Sequence, residues 1–231
     1  MDGSNSARLA GAPPLAAANA AYEFSTDVVM SPEPRGRRAE GVRALRTHIL
    51  AQHVEDGRRG LAVCAASVGV GATFTAVNLA VSLSQVGLSV LLIDADMRGS
   101  QVGDLIRGPA SPGLRQYLED DEMPASAVIR QEVVGGLSVM FSGGNGVNAQ
   151  ELLASERFSQ LIKGCLRDFD ITIIDTPPAN VCADVRRISS VVGYSLIVAK
   201  RNASYVGDIK HLAAQLHGDR AIVVGSVLND V

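Results

Sequence analysis

Apolar residues along the chain fall into short runs separated by polar, glycine-bearing stretches, and the period of the pattern alternates. From about Ala39 to Val54 the positions Val42, Leu45, Ile49 and Leu50 share one side of a helix. Leu61 to Ala65 is a continuous apolar run of strand length. Ser89 to Ile93, Gly136 to Phe141, Ile171 to Ile174, Ser195 to Ala199 and Ala221 to Leu228 repeat it. Between these runs the spacing predicts helices over Thr73 to Gln85 (ended by Gly87), Leu114 to Glu119, Gln150 to Arg167, near Val185, and over Tyr205 to Leu216. Strands alternating with helices predict an α/β fold: a doubly wound, mostly parallel sheet with helices on both faces, three layers in the order αβα. Right-handed crossovers align the loops that follow the strands along one edge, where such sheets bind ligands.

The first 36 residues break this alternation. They are rich in Ala, Ser, Pro and Gly, so residues 1–36 are expected to form a disordered N-terminal arm. The Ala-rich part, Leu9 to Ala21, carries Pro13-Pro14 and makes a poor signal peptide. Residues 37–231 then form one domain, long enough for a sizeable core. Trp is absent and aromatics are 4% of the chain, so Val, Leu, Ile and Ala must build that core. No apolar run is long enough for a transmembrane segment. A net charge of −3 and a pI near 5.8 give no global basic field, so no nucleic acid is expected as a partner. Cys64, Cys165 and Cys182 lie far apart in apolar contexts. They are expected as buried free thiols in a reducing compartment, since no Cys or His pair has metal-ligand spacing.

Three motifs sit at strand ends. The first is the loop Ser67-Val68-Gly69-Val70-Gly71-Ala72-Thr73-Phe74. Small residues let backbone N–H groups point at phosphates, and a helix N-terminus lies behind them. The full phosphate-loop pattern ends Gly-Lys-Ser/Thr, whereas this one ends Gly71-Ala72-Thr73. Thr73 keeps a hydroxyl for Mg²⁺, but Ala72 brings no charge to the β- and γ-phosphates. Losing one such charge-assisted contact costs about 1.5–3 kcal/mol. The lysines of the chain, Lys163, Lys200 and Lys210, all lie elsewhere. The second and third motifs are Asp94-Ala-Asp96 and Asp175-Thr-Pro-Pro178, each following an apolar strand. Hard carboxylate oxygens suit Mg²⁺, and one carboxylate could take a proton from an attacking hydroxyl. Thr73, Asp94, Asp96 and Asp175 are thus the candidate metal site. Asn229, after the last strand, could read an adenine edge with one donor and one acceptor.

These runs carry a resemblance. Thr73-Phe-Thr-Ala-Val-Asn-Leu-Ala80, Leu91-Leu-Ile-Asp-Ala-Asp-Met-Arg98, Ile173-Ile-Asp-Thr-Pro-Pro178, Glu151-Leu-Leu153 with Phe158, and Gly225-Ser-Val-Leu-Asn229 are similar to segments of the P-loop NTPases that act as bacterial tyrosine kinases in capsule and exopolysaccharide assembly. The resemblance covers roughly residues 39–231. It implies bound ATP or ADP with Mg²⁺ and a catalytic role for Asp94, Asp96 and Asp175. Glu40, Arg43 and Arg46 match the Glu-x-x-Arg-x-x-Arg spacing with which the family builds a ring, so a homo-oligomer is expected. The family further implies a membrane-embedded regulator of polysaccharide chain length as a separate partner. That places the chain in the cytoplasm, peripheral at the inner face of the plasma membrane. Two departures stand out: Ala72, and the lack of a tyrosine cluster near Val231, the tyrosines being Tyr22, Tyr117, Tyr194 and Tyr205. They leave open a weakened kinase or an inactive scaffold of the export machinery. A partitioning-type ATPase is the third reading. However, its signature lysine has no counterpart among Ala66, Ser67 and Val68.

Overall fold

The computed structural model describes residues 21–30, 36–109, 112–144 and 146–230. A two-residue strand β1 (Glu23–Phe24) precedes helix α1 (Arg37–Ile49), which runs into a π-helical turn over Leu50–Val54. Strand β2 (Gly60–Ala65) leads through a glycine loop to α2 (Ala72–Ser84), and β3 (Val90–Asp94) follows. The irregular middle holds α3 (Val102–Leu105), β4 (Ile106–Arg107) and α4 (Leu114–Glu119). Strands β5 (Arg130–Val134) and β6 (Leu137–Met140) come next, then α5 (Ala149–Ala154) and α6 (Glu156–Asp168). The chain closes with β7 (Ile171–Asp175), α7 (Asp184–Val192), β8 (Tyr194–Lys200), α8 (Val206–Gly218) and β9 (Ile222–Asn229).

Seven strands form one sheet in the order β5-β6-β3-β7-β2-β8-β9, parallel except for the β5–β6 pair. Alternate residues of each strand feed two cores. On one face Leu61, Val63 and Ala65 of β2 pack with α1 and α2 through Ala39, Val42, Ile49, Val77 and Val81. On the other face Ala62 and Cys64 pack with α4 to α8 through Leu114, Phe158, Ile162, Ile188 and Leu212. This is the three-layer αβα arrangement expected of a sheet covered on both sides.

Three elements differ from the pattern-based expectation. The helix expected over Gln150 to Arg167 is broken at Ser155, whose extended backbone (ψ 155°) and Oγ, accepting from the Phe158 N–H, cap α6 afresh. Strand β5 escaped notice because Arg130, Gln131 and Glu132 are not an apolar run; as an antiparallel edge it needs only a half-buried face. The third difference corrects the disordered arm of residues 1–36. Residues 1–20 and 31–35 lie outside the described residues, but residues 21–30 are packed. Val28 and Met30 are fully buried on the core beside α1 and α2. Asn78 of α2 ties them down, accepting from the Met30 N–H and donating to the Asp27 carbonyl. Tyr22, expected on a flexible arm, packs against Gly108. Two buried apolar side chains and one buried amide outweigh an Ala/Ser/Pro-rich average.

This packing has a measurable consequence. Met30→Ala is expected to lower the urea-unfolding free energy by about 2–5 kcal/mol, the usual cost of truncating a buried Met. An unchanged midpoint would place Met30 in solvent.

Candidate functional site

The loop after β2 adopts its shape because of two glycines. Gly69 (φ 73°) and Gly71 (φ 89°) lie in the left-handed region that other residues avoid. Gly71 is also crowded: a Cβ there would sit 2.1 Å from Asn229 Nδ2. That same Nδ2 donates to the Val70 carbonyl (3.0 Å). Asn229, expected to read an adenine edge, therefore uses a donor to pin the loop to the end of β9. Behind the loop, α2 begins at Ala72 with first-turn N–H groups that have no intrahelical acceptor. The loop borders a cleft of about 350 Å³ that is also lined by Asp96, Arg98, Gly99, Gln101, Thr176, Pro177 and Pro178. Ser67 to Thr73 all line this cleft; Phe74 and Asn229 instead line a neighbouring hollow of about 670 Å³ bounded by α1 and β9.

The acidic residues stand in two tiers. Asp94 and Asp175 are fully buried, side by side in the β3–β7 register. Asp94 accepts from the Asp96 N–H (3.1 Å) and the Ser100 hydroxyl (2.6 Å). Even so, burial pushes its carboxyl up from 3.8 to about 7. Asp175 has no hydrogen-bond partner on either oxygen. Its carboxyl is raised well above the usual range, first by burial and then by Asp94. The Thr73 hydroxyl lies near enough to favour ionisation, though short of a formed hydrogen bond. Asp96 reaches the cleft itself and accepts from the Arg98 and Gly99 N–H groups.

Such a pair of buried carboxylates wants either a proton or a cation. Among the described residues no three acidic, His or Cys side chains converge on a common point. A cage made wholly of protein is therefore not present among them. Mg²⁺ characteristically keeps its waters and takes one or two carboxylates with substrate phosphates, and Thr73 with one or two of Asp94, Asp96 and Asp175 would fit that looser mode.

Sequence reasoning passed over one pair. Arg98 lines the cleft, and its Nε donates to Asp184 (3.1 Å), a carboxylate 2% exposed at the start of α7. The available signal was an arginine two residues past Asp96, in the same acidic motif. On α1, Glu40 and Arg43 pair with each other, while Arg46 turns inward and donates to the carbonyl and Oγ of Ser82 on α2. Burial first, and Arg43 second, lower the Arg46 pKa. The expected ring residues thus make contacts within this chain. Cys64 and Cys165 are buried free thiols, whereas Cys182 is half-buried beside Arg98.

Known proteins resemble this chain in sequence and fold. The family model of an AAA domain matches residues 59–205. The tyrosine-protein kinase Etk of Escherichia coli K12 is 31% identical over 199 residues, 86% of this chain and 27% of that protein. The solved kinase domain of E. coli ETK superposes with a TM-score of 0.82 at 30% identity, covering 88% of this chain and 80% of that one. The chain belongs to the bacterial tyrosine kinase family. At the level of fold alone, the Pyrococcus furiosus cell division ATPase MinD aligns with a TM-score of 0.63 and 20% identity over 74% of this chain and 72% of that one. The chain spans about a quarter of the length of the curated kinases it matches. Among the described residues no helix is long and apolar enough to cross a membrane.

The electrostatics of the aspartate pair set a pH dependence. The unfolded Asp94 loses its proton near pH 4, whereas the folded one keeps it to about pH 7. Between those values the folded state binds more protons, so raising the pH costs stability. Asp94→Asn removes this loss. In metal-free buffer it is expected to be more stable than the parent at pH 8, by on the order of 4 kcal/mol at most, with the gap closing towards pH 4. Parallel denaturation curves across that range would mean that the fold does not penalise an ionised Asp94.

Proposed function

We propose that this chain binds Mg-ATP or Mg-ADP in the 350 Å³ cleft. In this reading it is a tyrosine-autokinase-like regulator of exopolysaccharide or capsule polymerisation and export. Its phosphoryl transfer is weakened by Ala72. The observation that carries the reading is Asp175, a buried carboxylate with no partner, lying beside Asp94 at the strand ends next to the loop. An idle turn has no use for two buried acids that raise the cost of folding. The matched E. coli kinases, and a MinD structure holding Mg-ADP at a TM-score of 0.62, support nucleotide as the ligand.

In this reading the backbone N–H groups of Gly69 to Thr73 and the α2 N-terminus cradle the phosphates. Thr73, Asp94, Asp96 and Asp175 would hold Mg²⁺, which neutralises charge between the transferring phosphates. Asp96, which lines the cleft, would orient an incoming hydroxyl. Asp94, buried beside Asp175, would give its charge to that ion. A separate membrane-embedded chain-length regulator would hold the protein at the inner face of the membrane, in a homo-oligomer joined through Glu40, Arg43 and Arg46. Ala72 specifically favours a second reading, an inactive scaffold of the same machinery that keeps nucleotide only as a structural ligand.

Transfer of labelled γ-phosphate from Mg-ATP, measured with the regulator's cytoplasmic tail present, separates the two. Slow transfer to tyrosine, abolished by Asp94→Ala and raised about 10²–10³-fold by Ala72→Lys, is the result expected of the weakened kinase. Transfer only in Ala72→Lys would leave the scaffold reading, and transfer in neither would remove the kinase altogether. For the oligomer, the mass in light scattering is expected to fall when Arg43 and Arg46 are both changed to Ala. An unchanged mass would rule out a ring built on those side chains.

A further inference from the structure

We infer that Arg98 supplies the positive charge that the phosphate loop lacks at Ala72, and that Asp184 holds it there. The inference rests on the nucleotide reading above and names how this chain grips the phosphates. Three observations point to it. First, among the described residues the lining of the cleft includes one cation, Arg98, together with Asp96. The arginines of the neighbouring hollow, Arg37, Arg38 and Arg201, do not reach the cleft.

Second, the charge count of the site needs a cation. Asp94, Asp96 and Asp175 stand at the strand ends beside a loop whose only positive contribution is backbone N–H and the helix dipole, equivalent to about half a charge. A polyphosphate of three to four negative charges (roughly, at neutral pH) is not matched by one divalent ion when carboxylates share that ion.

Third, Arg98 is held rather than loose. Its Nε donates to Asp184, whose side chain is 2% exposed, while the Arg98 side chain is 36% exposed and lines the cleft. Cys182 lies beside the guanidinium as a weaker neighbour. Asp184 takes the Nε–H, which leaves the Nη donors for phosphate oxygens. That fork geometry suits bidentate phosphate contact. The buried carboxylate fixes the orientation of the guanidinium as an outer partner fixes a metal ligand. Asp184 is accordingly a positioning residue, since it does not line the cleft.

The test is isothermal titration of the purified chain with Mg-ATP, Mg-tripolyphosphate and adenosine. Four variants are compared: Arg98→Gln, Asp184→Asn, Ala72→Lys, and Arg98→Gln combined with Ala72→Lys. Arg98→Gln is expected to weaken Mg-ATP and tripolyphosphate about 10–100-fold, the loss of one charge-assisted contact, and to leave adenosine unchanged. Asp184→Asn should weaken the same two ligands by a smaller factor. A lysine at position 72 should restore at least tenfold of what Arg98→Gln loses, because the two cations do one task. Equal affinity for Mg-ATP in the parent and Arg98→Gln overturns the inference while leaving nucleotide binding intact. So does a parallel loss for adenosine, which would mark Arg98 as structural, and so does failure of Ala72→Lys to rescue the double variant. No heat with any phosphate ligand in the parent and in Ala72→Lys removes the nucleotide reading itself, and this inference with it.

Discussion

Asp94 and Asp175 meet because β3 and β7 are parallel neighbours in register, and both strands are buried on both faces. That register brings two carboxylates together where water does not reach. Burial raises the cost of ionising both, and a like charge adds to it: Asp94 at Asp175, and Asp96 at Asp94. Ser100 and the Asp96 N–H offset part of the cost at Asp94, but no formed hydrogen bond offsets it at Asp175. The surrounding structure is arranged about this strained pair. The glycine loop passes alongside it, Thr73 comes close to it, and the loop after β3 is bent back by Asp96 to complete the rim. A cation at this pair would relieve that electrostatic cost, which is why the proposed ion is placed here.

The loop beside the acids is held from several sides, as a positioned backbone must be. Asn229 fastens Val70 to the last strand and fills the space that a side chain at Gly71 would need. Thr176, just past Asp175, donates to the Val63 carbonyl of β2 and so ties the second acidic strand end to the strand that feeds the loop. Helix α2 is buried along most of its length. Residues 21–30 lie over it through Asn78, linking the start of the described chain to the helix that presents its N-terminus to the cleft. The segment that composition marked as an arm is thus part of the support of the site.

Legibility in the sequence followed burial on both faces. The strands β2, β3, β7 and β8 are mostly apolar and buried almost throughout, and their carboxyl ends could be read directly, so the loop and the aspartates Asp94 and Asp175 lie at the strand ends that the pattern marks. Edge strand β5 could not be read this way, because Arg130 is half-buried and Gln131 and Glu132 are exposed, which dilutes the apolar signal. The break at Ser155 was hidden by helical spacing that continues across it, since a capping serine changes the backbone without changing the periodicity. Residues 21–30 were hidden by averaging. Asn229 was located but its work was not: an amide at a strand end has one sequence signature, whether it reads a base or pins a loop. Arg98 was in view within the acidic motif, yet only the fold brings it to Asp184, 86 positions away.

The absence of lysine at position 72 changes what kind of site this is. A lysine on the loop delivers its charge from a flexible stem as a point source. Arg98 enters from the β3 side of the cleft, and its approach is fixed by a carboxylate on α7. Because Asp184 begins that helix, the orientation of the cleft's arginine is tied to the layer of helices on the far side of the sheet from α1 and α2. Movements in that layer would reach the phosphates through a single ion pair. A loop lysine has no comparable link, since it moves only with α2. With the proposed role of Arg98, the alanine at position 72 does more than remove a contact: it would leave phosphate recognition to a residue whose position depends on how the two sides of the sheet are packed.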